Sequence, residues 1–89
     1  MLIALIARDK PGALQTRLDT REAHVAYLKD TGVVSQAGPL LDDAGQMIGS
    51  LVILDVADMQ AAQDWAAADP YAKAGLFANV ELIPWKKVI

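Results

Sequence analysis

An 89-residue chain with 54% hydrophobic residues, no cysteine and a net charge of −3 has room for one domain, residues 1–89. Its single core buries about 60 to 65% of the surface exposed by the unfolded chain. The missing cysteines exclude disulfides, thiolate metal sites and cysteine nucleophiles, and scattered basic residues with a pI of about 4.8 speak against a nucleic-acid surface. A mean hydropathy of +0.26 is high for so small a protein, and self-association is the simplest cover for the excess.

The start, Met1 to Ala7, is a continuous apolar run. It lacks a basic leader, is too short to span a bilayer and runs directly into Arg8-Asp9, so it predicts a strand over 2–7 in a cytoplasmic protein rather than a membrane segment. Both of its faces are apolar. Lys10-Pro11-Gly12 ends it, and a helix follows over 14–30, with Leu14, Leu18, Val25 and Leu28 as the stripe facing the sheet and Gly32 as its C-terminal stop. Residues 33–41 read as a second strand, bent or terminated by Gly38-Pro39. Asp42-Asp43-Ala44-Gly45 supplies a hairpin turn into a third strand over 47–56.

Along that third strand Ser50, Val52, Leu54 and Val56 alternate with Leu51, Ile53 and Asp55, so neither face looks solvated. Asp58 is a good N-cap for a short helix over 59–67, with Ala62, Trp65 and Ala66 on its apolar face. Asp69-Pro70-Tyr71 opens a separate helical turn, Asp69 as N-cap and Pro70 at the first helical position, closed by Gly75. A last strand runs over 77–85. The order βαββαβ is that of a ferredoxin-like α+β domain, two helices on one face of a four-stranded antiparallel sheet. Because two helices cover only one face while the first and third strands are apolar on both, a homodimer through the open sheet face is expected.

The chemistry centres on His24, the only histidine and the side chain type that titrates near neutral pH. Spacings of four and three residues put Arg17, Arg21 and His24 on one helix face. Arg21 interrupts the apolar stripe, and a buried or half-buried arginine needs an anionic partner. As a site, His24 would be a general acid or base. Asp69 would orient it, and Arg21, with Arg17 second, would hold a carboxylate or phenolate. Each has a plainer account: His24 as a satisfied core or surface histidine, Asp69 as a helix cap, the arginines as partners of Asp9, Asp19 or Glu22. A capping aspartate nevertheless keeps a second oxygen for another donor. Tyr71, Trp65, Phe77 and Trp85 could line an aromatic pocket but suit core packing equally.

No metal site is expected from one histidine without a carboxylate cluster. Ser50, in Ile48-Gly49-Ser50-Leu51, lacks the second glycine of a nucleophile elbow and reads as an ordinary strand residue. No glycine-rich phosphate loop or dinucleotide fingerprint occurs.

Several segments together resemble the YciI-like (YCII-related) family of small bacterial proteins, and the likeness covers nearly the whole length. They are Asp9-Lys10-Pro11-Gly12, Arg17 to His24, Ala37-Gly38-Pro39-Leu40, Gly45 to Ser50, Asp69 to Phe77, and Pro84-Trp85-Lys86. The resemblance implies a ferredoxin-like protomer in a dimeric α+β barrel and a histidine–aspartate active-site pair, here His24 and Asp69. It also implies kinship with small barrel enzymes that act on ring compounds, among them muconolactone isomerases and a dehydrochlorinase of chlorinated hydroxyhydroquinone, whose acid–base chemistry needs no cofactor. The resulting expectation is a cofactor-free lyase or isomerase for a small anionic or phenolic molecule, with Arg17, Arg21 and Tyr71 as substrate contacts. The alternative is a non-catalytic small-ligand binder or accessory protein.

Overall fold

The computed structural model describes residues 1–89. Its elements are β1 (Leu2–Asp9), α1 (Leu14–Thr31), β2 (Val34–Leu41), β3 (Met47–Asp55), α2 (Met59–Ala68), α3 (Pro70–Lys73) and β4 (Phe77–Trp85). Every strand pairing is antiparallel and the sheet order is β2-β3-β1-β4, the ferredoxin-like arrangement that the βαββαβ order predicts. No helix is long and apolar enough to cross a membrane.

Local chemistry sets the boundaries. Gly32 closes α1 at φ 69°, a left-handed conformation that suits glycine. Asp42 builds the β2–β3 turn, its side chain accepting from the Ala44 and Gln46 amides. The Asp58 side chain caps α2 by accepting from the Ala61 amide. Gly38-Pro39 neither ends nor breaks β2. It is an edge strand, where a proline costs little, and its register shifts fall instead between Val34 and Gln36 and between Leu40 and Leu41.

The two helices cover different parts of the sheet. Alternation in β1 and β3 turns Ile3, Leu5, Val52 and Leu54 toward the helices, where Ala62 and Trp65 of α2 complete a dry core. Tyr27 ties α1 to α2 by donating to the Trp65 carbonyl at 2.8 Å, and the Trp65 indole donates to Thr31 Oγ1 at 2.9 Å. By contrast, the buried residues of α1 are Arg17 and His24.

The inward face of α1 therefore differs from the expected one. Leu18 is 47% exposed and Arg21 is exposed as well. The inward positions include Arg17, Thr20, His24, Tyr27 and Thr31, spaced by three and four residues, while Leu14, Val25 and Leu28 of the expected stripe are half-buried and Leu28 packs against the core. Helix one is rotated so that a largely polar stripe meets the sheet, because Asp9, Ser50 and Asp69 wait there as hydrogen-bond partners. On the other side of the sheet, Leu51, Ile83 and Trp85 are 39%, 44% and 39% exposed.

Candidate functional site

Asp9 continues the helix-facing series Ile3, Leu5, Ala7 of β1, and Ser50 lies opposite Ala7 on β3. A Cβ at Gly49 would collide with the Ala7 carbonyl oxygen, so glycine lets β3 run close to β1 directly beside Ser50. Arg17 closes over this corner. Its Nε and Nη2 donate to the two oxygens of Asp9 at 2.7 and 2.8 Å, a bidentate fork, and Nη2 also donates to Ser50 Oγ at 2.9 Å. Burial works against the Arg17 charge, but the bonds to Asp9 and the negative charge of that carboxylate outweigh it and raise the guanidinium pKa above its ordinary value.

Two turns along α1, His24 Nδ1 lies 2.8 Å from Asp69 Oδ1, and both side chains are buried. An ionised carboxylate only accepts, so the imidazole carries a proton on Nδ1, and in its neutral form the lone pair is on Nε2. Asp69 also caps α3: the same Oδ1 accepts from the Tyr71 amide at 3.0 Å. Capping and histidine contact thus coexist on one oxygen rather than being divided between two.

Tyr71 joins the two groups. Its ring stacks on the His24 imidazole, centroids 3.8 Å apart and planes inclined by 14°, and the Arg17 guanidinium carbon lies 4.7 Å from the ring centre. Phe77 holds the ring edge-on at 6.0 Å. Burial raises the Tyr71 pKa, and the positive charges of Arg17 and Arg21 only partly oppose it, so the phenol stays protonated beyond its ordinary range.

These side chains border a cavity of about 190 Å³. Arg17, Arg21, His24, Val25 and Leu28 of α1 form one side, Ala37 to Pro39 of β2 and Met47, Ser50 and Val52 of β3 the other, with Tyr71 completing the lining. No buried side-chain nitrogen or oxygen lacks a partner. His24 Nε2 has none within the protein, so it is accessible, and the cavity is the space its residue borders. A cavity of about 150 Å³ accepts benzene, so this one suits a six-membered ring with small substituents.

Four of the five expected site residues, His24, Asp69, Tyr71 and Arg17, converge at this cluster. Arg21 is placed differently. It is exposed and stands among the cavity-lining residues without being buried, so the expectation that it was the arginine inside the stripe is corrected; that position belongs to Arg17, held by Asp9. Asp9 is the partner of Arg17, one of the three carboxylates expected for the arginines, and Ser50, expected to be an ordinary strand residue, joins the same network. Extending the alternation of the expected strand by two residues places Asp9 on the helix-facing side. Trp65 belongs to the α2 core, and no cluster of three His, Asp or Glu side chains that could hold a metal ion is present.

The fold recurs in known proteins. Residues 1–86 match the YCII-related domain. Protein YciI of Escherichia coli O6:H1 is 41% identical, with 99% of each chain covered. A 5-chloro-2-hydroxyhydroquinone dehydrochlorinase from Burkholderia phenoliruptrix AC1100, solved in complex with 2,5-dihydroxybenzoquinone, is 35% identical over 97% of this chain and 94% of that one, with a TM-score of 0.88. Rv0793 from Mycobacterium tuberculosis, 11% identical over the whole of both chains with a TM-score of 0.64, shares the fold alone.

Proposed function

The chain belongs to the YCII-related family, and on that premise we propose that it is a cofactor-independent enzyme of the lyase or isomerase type, acting on a single-ring phenolic or otherwise anionic molecule. The observation that carries the proposal is the 2.8 Å contact between His24 Nδ1 and Asp69 Oδ1, with Nε2 left to the cavity. Nε2 takes a proton from a ring hydroxyl or an adjacent carbon, and Asp69 stabilises the imidazolium that forms. The electron pair left behind spreads through the ring onto its oxygens. Return of the proton at another ring atom completes an isomerisation. Departure of a halide with its bonding pair, together with net loss of one proton, completes an elimination of HX.

Tyr71 fixes the plane of the imidazole through the stack and offers a protonated hydroxyl. The Arg17 charge is already matched by Asp9, so attraction of an incoming anion falls mainly to the exposed Arg21. A binding protein would require neither a polarised imidazole nor an accessible Nε2. The 35% identical dehydrochlorinase supports an aromatic, oxygen-bearing substrate. The working unit in this proposal is a homodimer packed through the open sheet face, supported by the exposed Leu51, Ile83 and Trp85 on that face.

The test is chloride release from 5-chloro-2-hydroxyhydroquinone by the wild type and by His24→Gln. We expect turnover by the wild type and a loss of about 10² to 10⁴-fold in the variant, with the fold unchanged by circular dichroism. Equal rates in the two proteins would remove His24 as the proton-transfer group.

A further inference from the structure

Ser50 has a role beyond a strand residue. It is 3% exposed, it borders the cavity from the sheet side while His24 borders it from the helix side, and it is not one of the residues whose chemistry the sequence pattern announces. Its Oγ accepts from Arg17 Nη2 at 2.9 Å, and that guanidinium is itself gripped by both oxygens of Asp9. A hydroxyl that accepts from a cation is a stronger donor than an isolated one, because the accepted bond withdraws electron density from its oxygen. The Ser50 hydrogen has no protein acceptor, the only hydrogen bond made by its Oγ being the one it accepts. The buried corner thus holds a hydroxyl with a free hydrogen, a fixed positive charge on one side and the cavity its residue borders on the other.

We infer that Ser50 is a substrate-contacting residue: its O–H donates to the ring oxygen on which negative charge develops when His24 takes the proton, and the Arg17–Asp9 pair holds and polarises it. The inference rests on His24 acting as the base in the proposed reaction. The step is balanced. One substrate proton moves to Nε2, the bonding pair it leaves delocalises onto the ring oxygen, and the Ser50 hydrogen bond shortens as that oxygen becomes anionic, with no oxidant or reductant involved. The substrate class narrows accordingly to rings carrying an oxygen conjugated with the site of proton loss. Asp9 and Arg17 are positioning residues here, because they act through Ser50.

Binding of 2,5-dihydroxybenzoquinone, a ring that is anionic at neutral pH, tests this by calorimetry at pH 7, with hydroquinone as an uncharged ring of similar size. Ser50→Ala should weaken 2,5-dihydroxybenzoquinone by about 10- to 100-fold, as expected for a hydrogen bond to a charged acceptor, and hydroquinone by about threefold or less. Ser50→Cys keeps side-chain volume but replaces the hydroxyl with a weak donor, and should behave as Ser50→Ala does. Equal affinity of wild type and both variants for 2,5-dihydroxybenzoquinone overturns the inference, as does a wild type that fails to bind it at millimolar concentration. Chloride release separates the two proposals. If His24→Gln keeps full turnover while Ser50→Ala loses binding, the base assignment falls and the Ser50 contact stands. If Ser50→Ala keeps binding and turnover while His24→Gln is inactive, the Ser50 inference falls alone.

Discussion

The two helices lie on the same face of one sheet and do opposite things there. Helix α2 turns Ala62 and Trp65 onto Ile3, Leu5, Val52 and Leu54, an apolar contact whose favourable term is removal of surface from water. Helix α1 buries Arg17 and His24, each against a carboxylate from a different element. A buried ion pair is at best a weak source of stability against an apolar alternative, since two charges must be desolvated before they attract. The α1 half of the interface is therefore polar and ion-paired, as the proposed site requires, and the α2 half is apolar. A domain this small tolerates the arrangement because no buried side-chain nitrogen or oxygen in it is left without a hydrogen-bond partner.

That contrast can be broken from either side. Trp65→Ala empties the α2 core and should lower stability by about 3 to 5 kcal/mol in chemical denaturation, and any activity lost should return in step with the fraction folded. His24→Gln should do the reverse, removing turnover while shifting the melting temperature little. Asp9→Ala leaves the Arg17 charge buried without its partner and should cost about 3 to 5 kcal/mol. Adding Arg17→Met to Asp9→Leu should recover most of that stability while ligand binding stays impaired, which would show that the pair is retained for the site. Retained binding in the doubly apolar protein would contradict the division between the two halves.

The far side of the sheet sharpens the comparison, because its apolar residues have no helix over them. Leu51→Lys should convert the proposed homodimer to a monomer in light scattering at micromolar concentration, at a modest cost in stability of the protomer. A wild type that is already monomeric under those conditions would refute the sheet-to-sheet assembly. The smallest effect is in pH. Tyr71 is protonated more firmly in the folded chain than in the unfolded one, so its contribution to stability is present below the ordinary phenol pKa of about 10 and is lost as pH rises through the higher folded value. Tyr27 is shifted the same way, chiefly by burial and then by Asp69. Tyr71→Phe should therefore flatten the alkaline fall in melting temperature without removing it.

Strand and helix order was legible because apolar periods, the Asp58 and Asp69 caps and the Gly32 and Gly45 stops all point the same way. The facing of α1 was legible only in part. Leu28 packs against the core as the apolar stripe predicts, yet Leu18 is outward and Arg17 inward, because long-range partners on β1, β3 and the α3 turn favour polar inward positions that no local signal announces. The same cause hid Ser50 and left Asp9 as one of three possible partners for the arginines. They are ordinary as isolated residues, and only the β1–β3 register brings them together under Arg17. His24 and Asp69 were candidates from the residues themselves, the family resemblance implied their pairing, and the structure adds that one carboxylate oxygen serves both the cap and the imidazole.

In the proposed site Asp69 holds His24 with its basic nitrogen turned to the cavity. Because the chain has a single histidine, its two ring nitrogens can be followed without ambiguity by ¹⁵N nuclear magnetic resonance. At pH 8 the account predicts a proton on Nδ1 and a bare Nε2 whose resonance moves when 2,5-dihydroxybenzoquinone is added. A proton resident on Nε2, or an Nε2 signal unmoved at saturating ligand, would contradict it.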